Sequence, residues 1–143
     1  MAISSYGIFL MYKANSSANW TKLIDIKDFP DLGGDPDLLD ITTLSDGATR
    51  NILGIQSQDA FSFTANYDVA DFTRLKKLEG KDYDFAVWMG KTIDSTGAAT
   101  PSGTDGKFSF TGQLSVHPVG AGVNEVVDMA ITIAASTIVK FSN

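Results

Sequence analysis

The sequence predicts a mainly β fold with one short α-helix. Apolar and polar residues alternate along several segments, most clearly over 60–67, and such alternation is typical of strands that bury one face. Only the segment 68–80 follows a helical spacing. With 143 residues, of which 43% are hydrophobic, the chain has the size of one domain and can bury a core without metals or disulfides.

Strands are predicted along the whole chain. The first, 7–13, is apolar on both faces, so we expect it to be central or covered on both sides. The next, 20–26, follows a short polar stretch, and the pair is typical of an antiparallel hairpin. Further strands are predicted at 38–44, 51–55, 60–67, 83–89, 107–117, 126–135 and 137–141.

The helix is predicted over 68–80. Its apolar residues recur at every third position and form one stripe, namely Val69, Phe72, Leu75 and Leu78. Asp68 suits the N-cap position, and Gly80 suits the position that follows a helix. A helix of about ten residues does not stand alone in water, so we expect it to pack against a sheet.

Two loops differ in composition from the strands. Residues 25–40 contain six aspartates and one lysine, and carboxylates of this kind are ligands for calcium. Their spacing departs from the EF-hand pattern and lacks its glutamate, so a solvated, turn-rich loop is favoured. Residues 94–106 are rich in Gly, Ser and Thr and predict a mobile hairpin tip or a surface loop.

Composition excludes most catalytic and cofactor chemistry. The chain contains no cysteine and one histidine, His117, which excludes thiol catalysis, zinc fingers and iron–sulfur ligation. The sequence has neither a G-x-x-x-x-G-K-[ST] phosphate loop nor a G-x-S-x-G nucleophile motif. We therefore expect no enzyme, no cofactor and no metal.

The charge and hydropathy of the chain limit the classes of partner that it can bind. The formal net charge is −6, from 11 basic and 17 acidic residues, which makes the chain a poor electrostatic binder of nucleic acid. No apolar run is long enough to span a membrane. Assembly or binding is the remaining role, and open strand edges are where assembly begins.

One segment carries a specific string. Within 28–55, P-D-L-G-G stands at 30–34, Pro36 follows, and D-x-T-T-L-S-D stands at 40–46. This string resembles the tail-tube (major tail) proteins of long, flexible-tailed bacteriophages. The predicted elements after this string also resemble the order found in that family. They are a β-rich segment, a short helix, a strand and a final β pair.

The resemblance implies a fold and an assembly. The fold would be two packed antiparallel sheets, a barrel-like sandwich flanked by one helix as in type VI secretion tube proteins, over a single domain at 1–143. Subunits would form stacked hexameric rings, the hollow tube of a virion tail, through which DNA passes without specific binding. Implied partners are the tape measure, baseplate hub and tail terminator proteins, with assembly in the host cytoplasm and no membrane contact.

The resemblance also gives the loop at about 27–57 a contact role. This loop would reach a neighbouring ring or subunit, and its apolar residues agree, because a free loop does not need them. The predicted contact residues are Phe29, Pro30, Asp31, Leu32, Gly33, Gly34, Leu38, Leu39, Ile52, Leu53 and Ile55.

The inner wall of such a tube should not bind phosphates tightly. The non-core faces of the predicted strands carry mainly Ser, Thr, Gln, Ala and Asp, which suits that wall. Candidate lumen-facing residues are Asp84, Ala86, Asp128, Ala130 and Thr132, or those on the polar face of 107–117.

Two alternatives stay open on the sequence alone. One is a β-sandwich binding module for carbohydrate or a receptor, built on Trp20, Trp88 and the 94–106 loop, because tryptophans can stack on sugar rings. The other is a small secreted enzyme.

Overall fold

The structure, a computed structural model, describes residues 6–14, 19–32, 36–56 and 60–142. These ranges contain nine strands and one helix. In chain order they are β1 (Ile8–Lys13), β2 (Thr21–Ile24), β3 (Pro36–Asp40), β4 (Asn51–Gln56), β5 (Phe61–Asn66), α1 (Val69–Leu78), β6 (Asp82–Ile93), β7 (Ala99–Val119), β8 (Asp128–Ala135) and β9 (Lys140–Ser142).

The described strands form one large and one small antiparallel sheet. The large sheet has the order β2-β1-β6-β7-β8-β5, with β9 paired to β7, and the small sheet consists of β3 and β4. The predicted mainly β class, with two antiparallel sheets and one helix, is confirmed. The two sheets differ greatly in size, so the core lies within the large sheet and the helix that covers it.

The large sheet curls until its two edges meet. Its edge strands are β2 and β5, and the residues just after β2 reach β5. The backbone N–H of Lys27 donates to the carbonyl oxygen of Thr64 at 2.7 Å, and the backbone N–H of Thr64 donates to Asp28 Oδ1 at 3.1 Å. A sheet closed in this way encloses one of its faces, which gives the barrel-like form.

Alternation along the strands fills the barrel. The pairs Phe61↔Ile133 and Phe63↔Ile131 between β5 and β8 face inward, and all four side chains are buried. Residues between them face outward, as the period of two predicts. The fully buried side chains with the largest volumes are Phe63, Phe85, Leu10, Leu23, Leu75, Met129, Ile131, Ile133, Val87 and Val116.

β1 is covered on both faces, as predicted. Leu10 lies in the main core, while Phe9 and Met11 point the other way into a second, smaller cluster. β1 pairs with β2 in an antiparallel hairpin, also as predicted, and with β6 on its other side.

α1 begins and ends close to the predicted bounds. The carbonyl oxygen of Asp68 accepts the backbone N–H of Phe72 at 2.8 Å, although the Asp68 side chain makes no capping hydrogen bond. After the helix, Gly80 has φ +82°, the left-handed conformation that favours glycine at this position. The helix packs on the sheet through Leu75, which is fully buried.

The predicted hairpin tip is present at 94–98, but the rest of the 94–106 segment is strand and not loop. β6 and β7 continue their pairing as far as Ile93↔Ala99, so only a short turn connects them. The Asp94 carboxylate accepts the backbone N–H of Ala98 at 3.0 Å, which closes that turn. This compact turn sets the register in which β6 pairs with β7. The Ser- and Thr-rich residues after the turn therefore form the beginning of β7.

Candidate assembly surface

β3 and β4 form a hairpin, residues 36–56, that we call the arm. Within the described chain these two strands pair only with each other. Their register places Leu38 opposite Leu53 and Leu39 opposite Ile52. Because side chains alternate across a strand, one pair lies on each face of the arm.

Both faces of the arm are apolar and exposed. Leu38 and Leu53 are 66% and 68% exposed, and Leu39 and Ile52 are each 49% exposed. A two-stranded hairpin without further packing is marginally stable in water. Large apolar side chains are thus exposed on two opposite faces of the arm, and exposed apolar groups of this kind are typical of interaction surfaces.

A hydrogen-bonded turn fixes the end of the arm. Asp40 Oδ1 accepts the backbone N–H of Thr42 at 2.9 Å, and Asp46 Oδ2 accepts that of Thr43 at 2.8 Å. Across the turn the Thr42 hydroxyl oxygen accepts the backbone N–H of Arg50 at 2.8 Å. These bonds explain the residue types of the D-x-T-T-L-S-D string, because its Asp and Thr side chains form the hydrogen bonds of the turn.

The same bonds favour ionised carboxylates in the turn. The hydroxyl and backbone N–H of Thr42 lower the pKa of Asp40, and the backbone N–H of Thr43 lowers the pKa of Asp46. Both groups therefore carry a negative charge at neutral pH. Leu44, at the tip between them, is fully exposed.

The beginning of the predicted contact loop packs on the subunit's own barrel. Phe29 and Leu32 are half-buried against the main core, so a single subunit already explains their apolar character. Pro30 is half-buried, and Asp31 is exposed. Two of the predicted contact residues, Gly33 and Gly34, lie outside the described residues, and so does the side chain of Ile55 in β4.

The outer face of the barrel has a polar half on β5, β8 and the end of β7. Three of the lumen candidates lie on it together: Asp128, Ala130 and Thr132. Thr132 lies opposite Ser62 of β5 and Ser115 of β7, so hydroxyl groups run across three strands. Lys27 Nζ lies 3.0 Å from Asp128 Oδ1 and balances its charge.

The other half of the outer face lies on β1, β6 and the beginning of β7. Ala86 is fully buried there in the cluster that contains Phe9 and Met11. The Thr111 hydroxyl donates to Asp84 Oδ1 at 2.7 Å. The structure therefore separates Asp84 and Ala86 from the other three lumen candidates, and Ala86 meets no solvent within one subunit.

Two tryptophans lie together on this second half. The ring centroids of Trp20 and Trp88 are 6.2 Å apart, with an interplanar angle of 61°. Lys13 Nζ lies 4.8 Å from the centroid of the Trp20 ring, and Lys107 Nζ lies 4.3 Å from that of Trp88. Each indole therefore has an ammonium group over it, a cation–π arrangement. Lys140 and Asp84 lie beside these four residues. We call the surface that the six residues form the Trp–Lys face: Trp20, Trp88, Lys13, Lys107, Lys140 and Asp84.

The meeting of the two tryptophans with the lysines is not predictable from the sequence. Trp20 and Trp88 meet only because β1 pairs with β6, which places Phe9 opposite Trp88. The lysines reach the same surface from three different strands, β1, β7 and β9. No local pattern in the sequence signals such a meeting.

Two further properties concern the described residues as a group. Among them, no cluster of His, Asp and Glu is arranged to hold a metal ion. None of their helices has the length and apolar character to cross a membrane. His117 is exposed near the end of β7.

No protein-family model and no curated protein matches this sequence. Solved structures match it along its whole length. A chain of an extracellular contractile injection system, the PVC sheath-tube complex in the extended state, is 10% identical; the match covers 99% of this chain and 91% of that chain, with a TM-score of 0.66. A chain of the PVC sheath/tube terminator is 11% identical, with 100% and 98% covered and a TM-score of 0.64.

A chain of the anti-feeding prophage baseplate is also similar. It is 7% identical, with 100% of this chain and 97% of that chain covered and a TM-score of 0.62. At such low identities the likeness shows a shared fold. The fold of this protein therefore also occurs in a sheath-tube complex and a sheath/tube terminator of an extracellular contractile injection system, and in the anti-feeding prophage baseplate.

Proposed function

We propose that this protein is a structural, non-enzymatic component of a tail-like particle, and within it the subunit of the tube. The shared fold supports a tail component in general. The observation that carries the tube assignment is the arm, whose two faces are both apolar and exposed. A subunit with such an arm is built to be covered by neighbours on two sides.

The arm would join successive copies head-to-tail. A contact between one surface of a copy and a different surface of the next closes a ring or continues as an open stack. Since the arm has two apolar faces, it can contact one neighbour in its own ring and another in the adjacent ring. Six subunits a ring is the number we infer, because one matching structure is a baseplate with six-fold symmetry.

The polar half of the outer face is our proposal for the wall of the bore. Asp128, Ala130 and Thr132 lie there among hydroxyl groups, and Lys27 is already paired with Asp128. A wall with few free cations lets a DNA cargo slide, because each neutralised phosphate adds salt-dependent affinity. Asp84 and Ala86 are left out of this wall, since they belong to the Trp–Lys face.

The proposed role as a tube subunit also implies which proteins it contacts and where it is found. As a tube subunit the protein would contact a tape measure, a baseplate hub and a terminator, and it would need no cofactor. It would assemble in the host cytoplasm and remain in the tail of the finished particle. These contacts are with proteins, and the bore passes DNA without specific binding.

A sugar-binding module fits the residues less well. Stacking on a sugar needs an open, flat aromatic platform. Here Trp20 and Trp88 are tilted by 61° to each other, and a lysine ammonium lies over each ring. The 94–106 segment, the other part of that hypothesis, is mostly strand.

Electron microscopy of the purified protein tests the proposal. We expect negative-stain images of concentrated protein to contain hollow tubes or stacks of rings. Single rings that never stack would instead assign a terminator or baseplate role. Monomer-sized particles at every concentration, both alone and with the other tail proteins present, would contradict the proposal.

A further inference from the structure

We propose that the arm of one copy docks on the Trp–Lys face of a second copy. This inference rests on the proposed self-assembly and deepens it, because self-assembly alone does not say which surface receives the arm. Two properties of the surfaces support the docking: their charges are opposite, and both have apolar character.

The Trp–Lys face is positive on a negative protein. It holds three lysines against Asp84, a net charge of +2, whereas the whole chain has a net charge of −6. Lys13 Nζ lies 4.0 Å from Asp84 Oδ2. Among the ion pairs of the described residues, none involves Lys107 or Lys140, so their charges are available to a partner.

The arm has the opposite charge. Residues 36–56 contain Asp37, Asp40 and Asp46 against Arg50, a net charge of −2. The turn bonds described above keep two of these carboxylates in place, and Asp37 is exposed on β3. Complementary charge of this kind steers two surfaces together and fixes their register.

The two surfaces also share apolar character. Trp20 and Trp88 are half-buried on the outer face, so part of each side chain remains accessible to a partner, as do the lysine stems beside them. A shallow cavity of about 190 Å³ lies beside Trp20 and is lined by Lys13, Asp84 and Lys140 among others. The exposed leucines of the arm are suited to cover such a surface, while its aspartates meet the ammonium groups.

Single-stranded nucleic acid is the competing occupant of a surface with lysines and tryptophans. Proteins that bind it stack bases on open aromatic rings. On the Trp–Lys face the ammonium groups of Lys13 and Lys107 already lie over the two indoles. The observations therefore favour a second copy of this chain, and an oligonucleotide serves as a probe in the test.

Exchange of charges between the two surfaces tests the docking. The face variant carries Lys107→Glu and Lys140→Glu, which changes its charge from +2 to −2. The arm variant carries Asp37→Lys and Asn51→Lys, both at exposed positions, which changes the arm from −2 to +1. A combined variant carries all four substitutions. The matched control, Lys77→Glu with Lys81→Glu, makes the same charge change as the face variant at exposed positions in the last turn of α1 and just after it.

Sedimentation gives the concentration at which half of the protein is associated. We expect the face and arm variants each to raise it at least about tenfold, since like charges then oppose each other. The combined variant should return to within about threefold of the wild type, and the control should not differ from it. Circular dichroism of every variant checks folding, and rescue in the combined variant excludes a merely structural defect.

Tryptophan emission is an independent readout, because the two tryptophans of the chain both lie on the Trp–Lys face. It should shift on association of the wild type and of the combined variant. Association without a shift, absence of rescue, or a wild type that associates at no concentration would each overturn the docking. An emission shift caused by a single-stranded oligonucleotide, with none on association, would overturn it in favour of nucleic acid.

The outcomes separate this inference from the proposed function. Tubes that form with unchanged emission and no charge rescue would remove the docking site and leave the tube assignment standing. Charge-dependent association that stops at small oligomers, even with the other tail proteins present, would keep the docking and remove the tube assignment.

Discussion

The side chain of Glu79 accepts a hydrogen bond from the backbone N–H of Val116, with Oε1 2.8 Å from the nitrogen. β6 begins at Asp82, opposite Gln113, so β7 has no β6 partner at Val116. Glu79, just after α1, takes the place of that missing partner. Lys76 Nζ lies 3.3 Å from Glu79 Oε2 and holds the carboxylate from the helix side. This carboxylate joins α1 to a central strand of the sheet.

Replacement of Glu79 should weaken the fold in a pH-dependent way. The bond from Val116, with a smaller effect of Lys76, lowers the pKa of Glu79 below its ordinary value of 4.5. A lowered folded-state pKa stabilises the protein above pH 4.5, and this stability is lost as the pH falls through the folded-state value. Glu79→Gln should therefore lower the free energy of unfolding by about 1 kcal/mol at pH 7.

Urea unfolding at pH 7 and pH 3 measures both parts of this prediction. The difference between wild type and Glu79→Gln should shrink at the lower pH. The matched control is Glu125→Gln, because Glu125 is the only other glutamate in the sequence and is exposed. An equal loss at both pH values would show that the Glu79 charge does not contribute.

Gly112 is expected to be difficult to replace. A Cβ built at Gly112 would collide with the carbonyl oxygen of Ala134 in β8. The obstacle is backbone, which cannot move aside as a flexible side chain can. Gly112→Ala should therefore destabilise the protein by about 2 kcal/mol. Gly120→Ala, with nothing within 4 Å of its Cβ, should change the unfolding midpoint little.

The arm should matter for assembly and not for folding of the subunit. Leu38→Ser with Leu53→Ser removes one apolar face, and Leu39→Ser with Ile52→Ser removes the other. Because these side chains are exposed in the subunit, thermal unfolding should be nearly unchanged. Each pair should abolish tubes in electron micrographs, because in the proposed tube one face of the arm holds the ring together and the other joins it to the adjacent ring.

A control for the arm experiment lies on another exposed surface. Val123 is 91% exposed, in the connection between β7 and β8, and Val123→Ser should assemble as the wild type does. If a face of the arm can be made polar without loss of assembly, that face makes no contact in the tube.

The turn of the arm should depend on Asp46. Its carboxylate accepts the backbone N–H of Thr43 and lies 3.4 Å from Arg50 Nη1, so Asp46→Ala loosens the turn. Cleavage after Arg50 by an arginine-specific protease should become several-fold faster, because cleavage follows the open population. Asp37→Ala, exposed on β3 and away from the turn, serves as the control. If Asp46→Ala is cleaved as slowly as the wild type, Asp46 does not order the turn.

Much of the fold follows from local patterns. β5 and β8 alternate so regularly that their inward residues are predictable, and α1 has one apolar stripe with suitable ends. β7 is longer than its alternation predicts, because the turn at Asp94 continues a register that no hydrophobic pattern marks. The single carboxylate of Asp94 that builds the turn is hard to recognise in the sequence, because the run of Ser, Thr and Gly around it predicts a loop.

The assembly surfaces are harder to predict. Leu38 and Leu39 are adjacent, so they face opposite sides of a strand, and a sequence does not say which side is covered. The half-burial of Phe29 depends on where the chain runs after β2, a long-range property. The Trp–Lys face needs the pairing of β1 with β6 and of β9 with β7, which only the folded sheet reveals.

A cryo-electron microscopy map of the assembled protein would show whether the arms join its subunits into a tube. The map should contain a hollow tube in which every arm is buried between subunits and both of its apolar faces are covered. It should also place the polar half of the outer face, with Asp128 and Thr132, around the bore. A tube whose arms remain in solvent would rule out the arm as the contact between subunits, and an assembly with no bore would rule out the tube itself.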